Sequence, residues 1–275
     1  VSESPILDSS VPIIVVEDLR DRLGEFASRV NGDPSHKVEV IAVTGTNGKT
    51  SFTHLLAQAL TGVGLPAGLI GTLGYGTPGC IKEPGLTTPA AVDLQAKVKR
   101  LVEQQCRAIV IEASSHGLEQ ARLNGLAVDM AVLTNLASDH LDYHATSENY
   151  RAAKRRLFEK RSLRNAVLNL DDEFGRELSL GLKGRLNVVT YSKTNPAANI
   201  YCRAIDFGVK GIDLKLVVNT NEIDVTLPLF GEFNVENVLS VAAAMAAMDY
   251  SITELLSALR LLKAVKGRMD ILGGK

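Results

Sequence analysis

Residues 39 to 51, Glu-Val-Ile-Ala-Val-Thr-Gly-Thr-Asn-Gly-Lys-Thr-Ser, constrain the fold more than any other stretch. The apolar run Val40 to Val43 reads as a strand buried in a parallel sheet. It breaks into Thr44-Gly45-Thr46-Asn47-Gly48-Lys49-Thr50, and helical spacing begins at once, with Phe52, Leu55, Leu56, Ala59 and Leu60 on one face. Strand, glycine-rich turn and helix in that order form a phosphate-binding loop. Glycines let backbone N–H groups close around phosphate oxygens, and the helix N-terminus adds partial positive charge. Lys49 can reach terminal phosphates, and the Thr50 hydroxyl can ligate Mg²⁺. The Walker A pattern has a glycine five residues before Gly48; Val43 stands there, and the first loop glycine is Gly45. The alternative, an ordinary tight strand-to-helix turn, does not explain Gly-Lys-Thr at the mouth of a buried strand.

Around this loop the chain alternates. Strands are expected at Val38–Val43, Ala67–Thr72, Ala108–Ala113, Met130–Leu133 and Ala166–Leu168, with helices over about Lys49–Val63, Ala90–Gln104 and Ser147–Lys160. Apolar strands alternating with amphipathic helices predict an α/β fold, a parallel sheet covered on both faces. Ligands of such sheets gather beyond the carboxyl ends of the strands. Residues 187 to 228 change character: Asn199–Asp206, Ile212–Asn219 and Glu222–Pro228 read as strands joined by tight turns, a small antiparallel addition. Helices return at Asn234–Met248 and Ile252–Leu261. At the start, Pro12–Val16 is a strand candidate and Glu17–Arg29 a helix, too little to form a core alone.

A net charge of -1 excludes bulk polyelectrolyte affinity, so no nucleic-acid partner is expected. Cys80, Cys106 and Cys202 are scattered and odd in number, which fits neither a zinc pattern nor a disulfide framework. No stretch reaches the ~18 apolar residues of a membrane span, and no basic-then-apolar leader opens the sequence. A cytoplasmic protein is the expectation.

Two polar clusters follow buried strands. Glu112 ends Ala-Ile-Val-Ile-Glu and leads into Ala113-Ser114-Ser115-His116-Gly117-Leu118. A carboxylate after four buried residues is costly unless a cation meets it. Mg²⁺ beside a phosphate is one such partner, and a nearby arginine is another. Asp139, His140, Asp142 and His144 crowd the second cluster. His-x-x-x-His resembles a zinc spacing, but no helix-borne Glu lies between the two histidines. One histidine joining carboxylates around Mg²⁺ fits better, and a capped turn before the next helix is the remaining alternative. On that helix Lys154 shares a side with Ala153, and spacing alone predicts an exposed lysine.

Together these segments resemble the Mur ligases, the ATP-dependent amide-forming enzymes of peptidoglycan synthesis. The carriers are the 44–50 loop, Leu86-Thr87-Thr88-Pro89, Glu112 through Leu118, Asn135 through His144, Tyr150 through Phe158, Gly231 through Asn237, and Gly267-Arg268-Met269. The Ser-Ser-His-Gly-Leu and Asp-His-Leu-Asp-Tyr-His versions look most like the branch that forms the UDP-N-acetylmuramoyl-tripeptide; folylpolyglutamate synthase is the competitor within the fold. The resemblance implies that Gly45, Thr46, Asn47, Gly48, Lys49, Thr50 and Ser51 hold ATP. It implies Mg²⁺ on Thr50, Glu112, His140 and a carbamylated Lys154. Thr87, Thr88, Ser114, Gln120 and Arg122 would face a UDP-muramoyl-dipeptide, Asn234 and Asn237 the adenine, and Arg268 the phosphates. Leu86 departs from the Asn expected there. The resemblance further implies residues 1–36 as the tail of an N-terminal domain and linker, residues 37–272 as an ATP-binding central domain, an absent C-terminal domain that selects the amino acid, and a monomer.

Overall fold

The computed structural model describes residues 2–4, 10–82, 84–137 and 141–267. Helix α1 (Leu19–Val30) and a 3₁₀ turn lead into β1 (Glu39–Thr44), α2 (Lys49–Gly62) and β2 (Ala67–Gly71). A hairpin follows, β3 (Gly74–Thr77) and β4 (Cys80–Lys82). Next come α3 (Ala91–Glu103), β5 (Ala108–Glu112), α4 (Ser115–Glu119), β6 (Met130–Leu133), α5 (Leu141–His144), α6 (Ser147–Phe158), β7 (Asn165–Asn169), α7 (Glu173–Leu182) and β8 (Asn187–Ser192). The chain then forms β9 (Ile200–Gly208), β10 (Gly211–Val218), β11 (Asn221–Leu227), α8 (Phe233–Ala247) and α9 (Ile252–Arg260).

One sheet takes all eleven strands, in the order β11-β10-β9-β8-β7-β6-β1-β5-β2-β3-β4. Strands from β2 to β9 across its middle are parallel, and each end finishes antiparallel. Strand alternation sends Ile41 and Val43 into the core under α2, α8 and α9, and Val40 and Ala42 into the core under α3, α6 and α7. β1 therefore has to be apolar at every position from Val40 to Val43, and all four are fully enclosed. Its sheet neighbours β5 and β6 both come later in the chain. The order β6-β1-β5-β2 reverses direction at β1, which opens a crevice beyond its carboxyl end.

The structure departs from the sequence expectation in two places. Pro12–Val16 forms no strand; Val15 makes only an isolated bridge with Ser2. The β3–β4 hairpin, α7 and the parallel strand β8 extend the sheet where none was expected, so regular alternation runs to Ser192 rather than Asn169. The expected antiparallel addition is present and joins the same sheet, since β9 pairs with β8 through Tyr191 and Ser192. α1 is held to the central body: Asn124 Nδ2 donates to the Asp21 carbonyl at 3.0 Å, and a Cβ on Gly24 would lie 1.8 Å from the Asn124 carbonyl oxygen.

Candidate nucleotide and metal site

The loop after β1 is fixed from the next strand before any ligand is considered. Thr46 N donates to the Asn135 carbonyl at 2.8 Å, and Asn47 N donates to Asn135 Oδ1 at 2.9 Å. Thr134 Oγ1 donates to the Asn47 carbonyl at 2.6 Å. This embrace is why residue 45 is glycine: its φ is +153°, and a Cβ there would stand 1.8 Å from Thr134 Oγ1. α2 starts from Gly48 with no side-chain cap, so its first N–H groups face the crevice, as anion-binding helix ends do.

Two lysines converge under the loop. Lys49 Nζ donates to the carbonyls of Gly45 (2.9 Å) and Thr46 (2.8 Å). Lys154 Nζ donates to the same Gly45 carbonyl at 2.9 Å and sits 4.3 Å above the Tyr150 ring. Helical spacing predicted an exposed Lys154; it is 1% exposed. The reason is tertiary, since α6 lays its Ala153–Lys154 side beneath the loop and the amine is met there by carbonyl and aromatic face.

Glu112 ends β5 directly beside Val43 of β1 and is fully buried. Its Oε2 accepts from Thr50 Oγ1 at 3.1 Å and Thr72 Oγ1 at 3.0 Å, and its Oε1 accepts from Thr72 N at 3.0 Å. Among the described residues its hydrogen-bond partners are hydroxyls and an N–H, and none is the arginine that was the alternative. Burial raises its pKa above the ordinary carboxylate value; the Thr72 and Thr50 hydrogen bonds and the nearby Lys49 charge oppose that rise only in part. A carboxylate desolvated to this degree gains from a cation. Hydroxyl and carboxylate oxygens are hard donors, which fits Mg²⁺ and not a soft metal. Among the described residues no three His, Cys, Asp or Glu side chains gather as a metal cluster. His140, which the metal and zinc readings both used, lies outside the described residues, as does Arg268.

The loop, Lys49, Thr50 and Glu112 open on one cavity of about 690 Å³, with Lys154 behind the loop and outside its lining. The loop and the start of α2 form one wall, Thr72, Thr87 and Glu112 a second, and Asn135, Phe233 and Asn237 a third. Asn237 comes close to the loop: a Cβ on Gly48 would be 3.0 Å from Asn237 Oδ1. Asn234, one helical turn earlier, bonds the Phe230 carbonyl at 2.7 Å and receives Asn237 Nδ2 at 3.2 Å, so it orients Asn237. Of the five expected substrate residues, Thr87 lines the cavity and bonds Thr72 at 3.0 Å. Thr88 is fully buried and bonds the Glu112 carbonyl at 2.7 Å, and Ser114 Oγ accepts from Gly117 N as the cap of α4. Arg122 clasps Gln120 Oε1 (3.0 and 2.6 Å) and the Thr88 carbonyl (2.7 Å), forming a separate polar ledge beside Tyr143. Thr72, Asn135, Phe233 and Tyr150 were not foreseen as site residues. A threonine closing an apolar strand was the one local signal for Thr72.

A model of the Mur ligase middle domain matches residues 43–245. The chain is 46% identical over 270 residues to the UDP-N-acetylmuramoyl-L-alanyl-D-glutamate--2,6-diaminopimelate ligase of Pseudomonas syringae pv. tomato, an alignment covering 98% of this chain and 55% of that protein. A solved structure of a ligase of the same name superposes with a TM-score of 0.87 at 35% identity, over 95% of this chain and 54% of the other. Mycobacterium tuberculosis folylpolyglutamate synthase shares the fold, with a TM-score of 0.70 at 16% identity over 86% of this chain and 62% of the other. The chain spans about half the length of those two diaminopimelate ligases. With a loop, two lysines and a buried carboxylate set as described, and a match across most of its length, the chain belongs to the Mur ligase family.

Proposed function

We propose that the protein is an ATP-dependent ligase that joins an amino acid to UDP-N-acetylmuramoyl-L-alanyl-D-glutamate through an acyl phosphate, in the synthesis of peptidoglycan precursor. The observation that carries this reading is the convergence of Lys49, Thr50 and Glu112 on one cavity. A substrate carboxylate attacks the terminal phosphorus of ATP, ADP leaves, and an acyl phosphate forms. The amino group of the incoming amino acid then attacks the acyl carbon, loses a proton, and phosphate departs. The protein's own task is electrostatic. Lys49 and the N–H groups opening α2 hold the transferring phosphoryl group and offset its charge. Thr50 and Glu112, with His140, would hold Mg²⁺, which when bound neutralises phosphate charge. Asn237 and Asn234 bound the adenine end, with Arg268 toward the phosphates.

Lys154 is the proposed site of a carbamate. CO₂ adds to its neutral amine with loss of a proton, and a cation becomes an anionic oxygen donor. The two ammonium groups on the single Gly45 carbonyl support this, because the change removes one of two like charges. Thr87, Thr88, Ser114, Gln120 and Arg122 are the proposed uridine-muramoyl side of the site, with Thr88 and Ser114 acting through its shape. The relatives' names give 2,6-diaminopimelate as the amino acid, and we carry that to this chain. The pocket that selects it belongs to the length of the relatives beyond this match; residues 37–272 are the proposed central domain and 1–36 the tail of the one before it. Among the described residues no helix is long and apolar enough to cross a membrane, which is compatible with a monomer working in the cytoplasm.

The test is ADP release by the whole protein. It should require both the UDP-muramoyl-dipeptide and the amino acid, and Lys49→Ala should lower it by about a hundredfold or more. Release that needs only a hydroxyl acceptor would make the protein a kinase instead. Lys154→Ala should lose activity and recover part of it with added small carboxylates.

A further inference from the structure

Tyr150 is a buried residue that the ligation chemistry leaves unused. It is 2% exposed, on the inner side of α6, one turn before Lys154. Its hydroxyl lies 3.1 Å from Thr46 Oγ1, a partner 104 positions away in the phosphate loop. Thr46 Oγ1 also accepts from Ala137 N at 2.9 Å and lies 3.1 Å from the Ala137 carbonyl. A threonine hydroxyl has one proton, and the carbonyl can only accept. With that proton on Ala137, the tyrosine hydroxyl is the donor to Thr46. The ring does a second job. Lys154 Nζ rests on its face at 4.3 Å, and the His144 ring packs against it with centroids 5.2 Å apart. His144 is itself buried and meets Glu119 Oε2 at 3.1 Å through Nδ1, so the tyrosine is braced by α4 as well.

We propose that Tyr150 is a positioning residue, whose hydroxyl on Thr46 keeps the phosphate loop in register with the helix that carries Lys154. The proposal rests on the reading of this cavity as an ATP site. A tyrosine kept only to fill the core would need no hydroxyl, and phenylalanine would serve. Here the hydroxyl reaches a loop side chain that also holds the segment after β6. Thr46 is thus a shared tie between loop, α6 and that segment, beside the direct Lys154–Gly45 bond and the Asn135 contacts.

The experiment is a double-mutant cycle on ATP·Mg²⁺ affinity, measured by calorimetry with the wild-type chain, Tyr150→Phe, Thr46→Val and the double variant. Phenylalanine keeps the ring under Lys154 and removes only the hydroxyl. Tyr150→Phe is expected to weaken binding about fivefold, the worth of one ordinary hydrogen bond. Thr46→Val, which also loses the Ala137 contacts, is expected to weaken it at least as much. The double variant is expected to be no weaker than Thr46→Val. Thr46→Val removes the same bond from its other end should Tyr150→Phe fold poorly. Wild-type affinity in Tyr150→Phe, or losses that multiply in the double variant, would overturn the proposal. Lys49→Ala runs alongside: if the wild type does not bind ATP·Mg²⁺, or Lys49→Ala binds it as tightly, the ATP-site reading itself fails and the proposal falls with it.

Discussion

Two glutamates stand at opposite ends of the same pair of strands. β1 begins at Glu39 opposite Ala108, and β5 finishes at Glu112 opposite Val43. Both carboxyls are pushed above the usual carboxylate range, and burial is the first cause in each. Their surroundings differ. Glu39 is met by Arg164, 2.8 Å from its Oε2, and Arg164 also reaches Asp129 at 3.0 Å. Asp129 in turn accepts from Val40 N at 2.9 Å. One guanidinium is shared there by two carboxylates, and the cluster lies at the start of the sheet's central strands. Among the described residues Glu112 hydrogen-bonds hydroxyls and an N–H, with the Lys49 charge nearby. Those hydrogen-bond donors aim the carboxylate without neutralising it. A half-buried anion met by arginine holds a fold together, whereas a fully buried one merely oriented is prepared for a cation from outside.

The sharpest way to break this contrast is Glu112→Gln. The amide keeps the shape and removes the charge. In the whole protein turnover should fall by about a hundredfold, the scale of losing one electrostatic element of a phosphoryl-transfer site. The melting temperature of the Mg²⁺-free chain should hold or rise, because a desolvated charge has gone. Full activity, or a marked loss of stability, would make Glu112 a structural residue like Glu39.

Gly71→Ala disturbs the same carboxylate without touching it chemically. A Cβ at Gly71 would lie 2.1 Å from Glu112 Oε1 and 2.6 Å from its Cδ. The carboxylate is enclosed and has to turn aside, breaking its Thr72 bonds. The Mg²⁺ concentration needed for half-maximal ATP binding should rise about tenfold, as when the support of a metal ligand is lost. An unchanged Mg²⁺ requirement would show that the aim of Glu112 does not matter.

The contrast also marks what could be read in advance. The β1 loop was legible because its signal is local: four apolar residues, two glycines, a lysine and a helix within thirteen positions. Glu112 was legible because a carboxylate after Ile-Val-Ile needs an explanation. The burial of Lys154, a residue named only through the family resemblance, was not legible from spacing, because its amine is met by the Gly45 carbonyl, 109 residues away. α7 was missed for a related reason. Gly175 weakens its helical pattern, yet glycine is required there because a Cβ would meet the Asn169 carbonyl oxygen at 1.9 Å. β8 presents a half-exposed Asn-Val-Val-Thr start that has no clean alternation. The β3–β4 hairpin, with Gly74 and Gly76 where neighbouring backbone comes close, reads as loop in one dimension. Thr88 and Ser114 carry a subtler lesson. Their segments were identified as part of the site, but whether a hydroxyl faces the ligand or the backbone behind it depends on packing.

The smallest effects belong to the closed end of the sheet. Arg164 is 62% exposed, so Arg164→Met should cost less than about 1 kcal/mol of stability and leave ATP binding unaltered. Glu39→Gln then tests the electrostatics by pH. In the folded chain burial and Asp129 make Glu39 hold its proton to higher pH than it does unfolded, and Arg164 opposes them. The stability it contributes is therefore complete below the ordinary carboxylate value and is lost as pH climbs through the raised one. The glutamine variant has no such proton. Its melting temperature relative to wild type should be more favourable at pH 7 than at pH 4. In an Arg164→Met background the difference should widen, since the opposing cation is gone. A difference that narrows with rising pH would mean that Arg164 outweighs burial. Glu39 would then be an ordinary ion pair, and the likeness between the two carboxylates would reduce to their position on the sheet.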